Sequence, residues 1–221
     1  MTALSKAIDA SAAEGSRHLR RLSDAGLVRK DSEGFYEATP VGRTVLKLLP
    51  GIGLLLEHQD YFRSRDLSFL PLEFVERIGE LSKANRVNQL SAVLEHIKSV
   101  VSQGRDHVWL VSDNLFPQWP GIGSSFLSTD IPVRLIAQES TSRKAVSEYK
   151  SRLPRSEIAV LKEVRIGMAI SESSAGVCFP TETGGIDFTA GFGGSDPTFL
   201  AWCNDLFECY WAGARKIHAP F

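Results

Sequence analysis

The chain has 221 residues, unexceptional hydrophobic and charged fractions, and a formal net charge of −1. That length fits one large domain or two modest ones, and near-neutrality excludes a global field that would draw the whole chain onto nucleic acid. No run of ~18 apolar residues is present, which excludes a transmembrane helix, and Met1 opens onto a polar-mixed segment rather than a signal peptide, so a cytoplasmic protein is expected.

In chain order, Leu4 to Ala10 reads as a short helix, with Leu4 and Ile8 on one face. Ser11 is placed to cap a second helix running to about Ala25, and Gly26 follows where a left-handed residue ends a helix. Leu27 to Lys30 is a strand, Asp31-Ser32-Glu33-Gly34 a tight turn, and Phe35 to Ala38 the returning strand. Thr39 caps the next helix and Pro40 takes its first position, with Val41, Val45, Leu48 and Leu49 on its apolar face. Pro50-Gly51-Ile52-Gly53 is expected to interrupt the chain before another helix, Leu54 to Arg65. Pro71 opens one more, carrying Phe74, Val75, Ile78 and Leu81. Gln89 to Gln103 has the clearest helical period, through Leu90, Val93, Leu94, Ile97, Val100 and Val101.

Beyond Gly104 the pattern turns to strands. His107 to Val111 and Pro132 to Ala137 read as buried strands, followed by a charged helix between Ser140 and Leu153. Strand-like runs lie at 158–164, 167–170, 176–179 and 186–192. A final helix starts at Asp196-Pro197 and carries Trp202, Leu206, Phe207, Tyr210 and Trp211. Its aromatic stripe, with Phe199, reads as core packing. Gly184-Gly185 and Gly191-Phe192-Gly193-Gly194 read as turns, the second joining a strand to this helix. The three cysteines, Cys178, Cys203 and Cys209, form neither a CxxC pair nor an even set, so reduced structural thiols are expected.

Helix, helix, hairpin and helix within ~45 residues give the pattern of a winged helix-turn-helix. Its second helix would enter the DNA major groove, with Ser11, Glu14, Arg17, Arg20 and Arg21 near phosphates or base edges. Arg29, Lys30 and Ser32 on the wing would touch the backbone or minor groove. Residues 1–50 hold eight Lys/Arg against six Asp/Glu, a weak positive excess. A different class of reading uses the same winged helix as a protein-interaction or dimerisation module with little DNA affinity. It is motivated by that weak excess and by Ala12-Ala13, where base-reading side chains are common.

The stretch from Ser16 to Gly42, with Gly26-Leu27-Val28 after the helix and Thr39-x-x-Gly42 after the hairpin, resembles ArsR-type winged helices. Further segments extend the likeness: His58-Gln59-Asp60-Tyr61-Phe62, Arg65-Asp66-Leu67-Ser68, Pro71-Leu72-Glu73-Phe74, Arg77-Ile78-Gly79-Glu80-Leu81, and Asp196-Pro197-Thr198-Phe199 with Trp202, Asp205 to Glu208, Tyr210 and Trp211. Together they resemble archaeal transcription regulators related to the methanogenesis regulator FilR. The resemblance implies a TrmB-like effector domain, a homodimer and a further helix ahead of Leu4. The expected class is α+β: a winged helix-turn-helix over residues 1–50, a helical linker and dimerisation region over 51–104, and an α/β, degenerate phospholipase-D-like effector domain over 105–221.

The partners expected are double-stranded DNA, a second copy and a small-molecule effector, with no membrane and no cofactor. Trp109, Trp119 and Arg134 are the candidate effector contacts, because an aromatic–Arg pair can hold an anionic metabolite. An enzyme is not expected. A phospholipase-D-like site needs His, then Lys two residues on, then an acid five further, and His96-x-Lys98 is followed by Gln103 in the strongest amphipathic helix. His18, His58, His96, His107 and His218 have no metal-ligand spacing.

Overall fold

The computed structural model describes residues 9–113, 131–141, 146, 149 and 155–217. The chain separates into two compact units, Met1–Gly53 and Leu54–Phe221. The expected helix at Leu4–Ala10, most of the one between Ser140 and Leu153, and the positions of Trp119 and His218 lie outside the described residues.

In the first unit, helix α1 spans Ala12–Asp24. It begins as the sequence suggests: Glu14 N donates to Ser11 Oγ at 3.2 Å, and Ser11 N donates to Glu14 Oε2 at 3.0 Å. This reciprocal capping box satisfies two helix-end donors that would otherwise lack partners. Its end is a Schellman motif, in which Leu27 N donates to Leu22 O and Gly26 N to Ser23 O, both at 2.9 Å, with Gly26 at φ +70°. Strands β1 (Val28–Lys30) and β2 (Tyr36–Ala38) form an antiparallel hairpin, pairing Arg29 with Glu37 and Lys30 with Tyr36. Asp31 Oδ1 holds the turn by accepting from Glu33 N and Phe35 N.

Helix α2 spans Pro40–Glu57. Thr39 explains its start: its hydroxyl donates to Gly26 O at 2.6 Å and accepts from Gly42 N at 3.0 Å. Gly42 lets the helix meet the end of α1's loop, since a Cβ there would lie 2.0 Å from Leu27 O. The expected break at residues 50–53 is absent, and Pro50 sits inside the helix. Pro50 is exposed, so the Leu46 carbonyl that it deprives of a bond can turn to water, while the apolar stripe continues in phase across it.

The second unit begins with the end of α2, short helices α3 (Gln59–Phe62) and α4 (Leu72–Glu76), and a 3₁₀ segment at Ile78–Lys83. The anticipated helix at 54–65 is thus split at His58, and Ile78 and Leu81 sit on the 3₁₀ segment rather than on α4. Next come β3 (Asn85–Asn88), α5 (Leu90–Gln103), β4 (Val108–Ser112), β5 (Val133–Gln138), β6 (Ser156–Leu161), β7 (Gly167–Ser171), β8 (Ala175–Cys178), β9 (Ala190–Gly194), α6 (Pro197–Gly213) and β10 (Arg215–Ile217). Asp196 Oδ1 caps α6 by accepting from Thr198 N at 2.9 Å, with Pro197 in the first turn as expected. Strand β3 is polar and short, and periodicity does not anticipate it.

Among the described residues the sheet has eight strands in the order β10-β6-β5-β4-β7-β8-β9-β3. Only the β4–β5 and β5–β6 pairs are parallel; the rest are antiparallel. Alternation along each strand feeds two cores. Val108, Leu110 and Leu135 join Val93, Ile97, Val100, Val146 and Tyr149 on one face. Val111, Ile136, Met168 and Phe192 join Tyr61, Phe74, Trp202 and Phe207 on the other. Residues of the 54–103 stretch line both cores. Leu90 begins α5 exposed rather than on its buried stripe.

Candidate functional site

Two groups of side chains stand out, one in each unit. In the first unit, α1 buries Gly15 and Leu19 and exposes nearly everything else. Helical spacing puts Glu14, Arg17, His18 and Arg21 on one face, and Arg20 beside it. All three arginines are exposed. Ser11 and Glu14 are occupied by the cap, and the Ser11 hydroxyl donates to Glu14 Oε2 at 2.8 Å. Those hydrogen bonds, with lesser help from Arg17 and His18, hold the Glu14 carboxyl below its usual range.

The hairpin brings Arg29, Lys30 and Ser32 onto one exposed projection. Arg29 Nε bonds Glu37 Oε1 at 2.7 Å, and Lys30 Nζ stands 5.3 Å from the centre of the Tyr36 ring. Phe35 is 67% exposed at the end of the turn. In sequence Phe35 and Tyr36 look like ordinary strand residues; the signal for their exposure is two adjacent aromatics directly after a polar turn.

In the second unit the structure brings Trp109 and Arg134 together, as their parallel pairing across β4 and β5 requires. The Arg134 guanidinium carbon lies 5.6 Å from the Trp109 ring centre and 5.2 Å from that of Trp211. Trp109 stacks on Phe207 at 4.8 Å, and Phe207 stacks on Trp211 at 5.7 Å. Lys216 completes the set, 3.5 Å from the Trp211 ring centre and donating to Trp211 O at 2.6 Å. Arg134 is already paired, with Glu208 at 3.0 Å and Glu157 at 3.7 Å. His107 lies against Trp109, and burial depresses its pKa. Lys216 was legible only through tertiary structure, since it reaches the cluster from β10.

The family described as methanogenesis regulatory protein FilR1, middle domain, matches residues 90–213. The chain belongs to this family of regulatory proteins. The FilR1 middle domain here starts at α5 and closes on the last residue of α6. Among solved structures, TrmBL2, described as an archaeal chromatin protein with a novel mode of DNA binding, is similar at 12% identity and a TM-score of 0.48, over 95% of this chain and 84% of that one. NucT from Helicobacter pylori is similar at 12% identity and a TM-score of 0.48, over 61% of this chain and 99% of that one. No curated protein matches the chain.

The remaining candidates within the FilR1 middle domain resolve as packing. His96 is not on the open face of α5. Its ring lies over Gly176 and Gly193, where a Cβ would come within 2.9 Å and 2.4 Å of it, and Nε2 is 2.9 Å from Ala175 O. Gly191 to Gly194, expected as a turn, instead form the end of strand β9. Their missing side chains admit His96 and Cys178 from the neighbouring elements. All three cysteines are unpaired, and burial pushes the Cys178 thiol up to about 12. A cleft of about 110 Å³, lined by Phe69, Val111, Leu161, Glu163, Arg165 and Tyr210 among others, opens past the carboxyl ends of β4 and β6. Among the described residues no His/Cys/Asp/Glu group could hold a metal, and no helix is long and apolar enough to cross a membrane.

Proposed function

We propose that the chain is a DNA-binding transcription regulator whose first unit is a winged helix-turn-helix. The observation that carries this reading is the exposed Arg17-Arg20-Arg21 face of α1, on a helix followed at once by a basic hairpin. Arg17 and Arg21 would meet phosphates or guanine edges in the major groove. Arg20 would lie toward the flanking backbone, and Arg29, Lys30 and Ser32 on the wing would meet phosphates outside it. Ser11 and Glu14 would set the helix N-terminus against the duplex, with the capping box fixing its start. The active form would be a homodimer acting in the cytoplasm on double-stranded DNA.

The second unit would be the effector domain, a degenerate phospholipase-D-like fold of the TrmB type with no catalytic role. Its ligand would be a small anionic metabolite held by Trp109 and Arg134, displacing Glu208 from the guanidinium. The notable feature for a sensor is the stacked aromatic ladder, because repacking it would propagate along α6.

A gel-shift assay on the DNA upstream of the protein's own gene tests the interface. Arg17→Ala with Arg21→Ala should abolish the shift, while an equal shift by wild type and double variant would remove the assigned surface. The alternative, an interaction module with little DNA affinity, draws on the exposed apolar stripe of α2. It predicts no shift from either protein.

A further inference from the structure

The strand order of the sheet calls for a crevice at one of its ends. Strands β4, β5 and β6 run parallel and step to one side, while β7 lies on the far side of β4. Open sheets take ligands outside the carboxyl ends of their parallel strands, where the strand order reverses. The link from β6 to β7 has to cross those ends, and it is anchored there. Glu139 N donates to Leu161 O at 2.7 Å, and Val164 N donates to Gln138 Oε1 at 3.2 Å. This link walls the cleft of about 110 Å³. The lining is mainly apolar: Val111, Leu161, Val164 and Ile166, with the rings of Phe69 and Tyr210. An apolar cavity of about 150 Å³ holds benzene, so this one admits a compact body of about four or five heavy atoms.

Two polar groups of the lining residues lack partners, and both are donors. The Tyr210 hydroxyl is buried without a hydrogen-bond partner among the described residues. The Arg165 guanidinium lies 3.3 Å from Asp66 and 3.2 Å from Glu163, yet its buried Nε makes no hydrogen bond. Unmet donors favour a ligand that brings acceptors, and a carboxylate matches the fork of a guanidinium. Glu163 is the group such a ligand would replace. Its side chain is 66% exposed, so its hold on Arg165 is weak.

We propose that this cleft binds a short-chain carboxylic acid as its anion. The branched apolar body packs against Val111, Leu161, Val164 and Ile166, and the carboxylate meets Arg165 and Tyr210. Neither Trp109 nor Arg134 lines the cleft, so this site stands or falls apart from the effector contacts and the DNA surface proposed above.

The test is a methyl NMR titration of the full chain, labelled at isoleucine, leucine and valine, with isovalerate as the probe. The methyls of Val111, Leu161, Val164 and Ile166 should shift and saturate. Isovaleramide, the same body without the charge, should bind on the order of 10-fold more weakly, and Arg165→Met should weaken isovalerate to the same degree. Tyr210→Phe removes only a hydroxyl and should weaken binding ~5-fold. Glu163→Gln removes the competing carboxylate and should tighten binding ~3-fold. Tyr210→Phe and Glu163→Gln keep the proposal falsifiable should Arg165→Met, which also loses its Asp66 pairing, fail to fold. Shifts that do not saturate or that fall elsewhere, equal binding of acid and amide, or acid binding unchanged in any of the three variants would each overturn the proposal.

Discussion

Two glycines do different work at the junction of α1, hairpin and α2. Gly26 is needed for its backbone, at φ +70° with open space where a Cβ would go. Gly26→Ala should therefore cost about 1 kcal/mol, the left-handed penalty alone. Gly42 is needed for its size, because a Cβ would strike the Leu27 carbonyl. Gly42→Ala should cost more, about 3 kcal/mol, because backbone must move to make room. Urea denaturation of the two variants checks the order. In the second unit, Arg65 is nearly buried, stacked 4.5 Å from the Tyr61 ring centre and paired with Asp187. Burial opposes ionisation of Asp187, but hydrogen bonds from Thr189 and the Arg65 charge prevail and hold its carboxyl below the usual range. A carboxylate with a depressed folded-state pKa stabilises the fold above its unfolded pKa, and that stability drains away as pH falls through the folded value. Asp187→Asn should cost about 3 kcal/mol at neutral pH by leaving Arg65 uncompensated. It should also flatten the loss of stability that the wild type shows below about pH 4, the unperturbed carboxylate range. Thermal melts from neutral to acid pH check both effects.

At the scale of elements, the sequence was most legible where one short-range signal settled the matter. Ser11, Asp196 with Pro197, and Thr39 with Pro40 each marked a helix start that the structure keeps. The near-continuous apolar runs of β4 and β5 were equally plain. The misreadings share a cause: partners distant in sequence overrode a local cue. Pro50-Gly51 looks like a break, but flanking leucines and valines keep one stripe in phase and α2 continues. Gly191 to Gly194 look like a turn, but β3 and β8 hydrogen-bond to them and His96 fills the space they leave. Strand β3, Asn-Arg-Val-Asn, has no hydrophobic alternation and exists only through β9. For the candidate sites, residue types showed which side chains could act, while the Arg134–Trp109 contact required the strand register. Ser11→Ala should destabilise the first unit by about 1 kcal/mol through loss of the cap, read by chemical denaturation.

At the scale of the whole molecule, the chain joins a modestly basic helix-and-hairpin unit to a mixed sheet covered by helices on both faces. With a net charge of −1, the proposed affinity for DNA would have to come from a local cluster rather than a global field. Each phosphate contact releases counterions, so such a cluster makes binding fall steeply with salt. A salt titration of binding by fluorescence anisotropy, wild type beside Arg17→Ala/Arg21→Ala, decides whether the α1 arginines engage DNA as proposed. Wild-type affinity should fall steeply with rising salt, and the double variant should show a distinctly shallower slope. Binding that ignores salt, or identical slopes for the two proteins, would contradict the proposal.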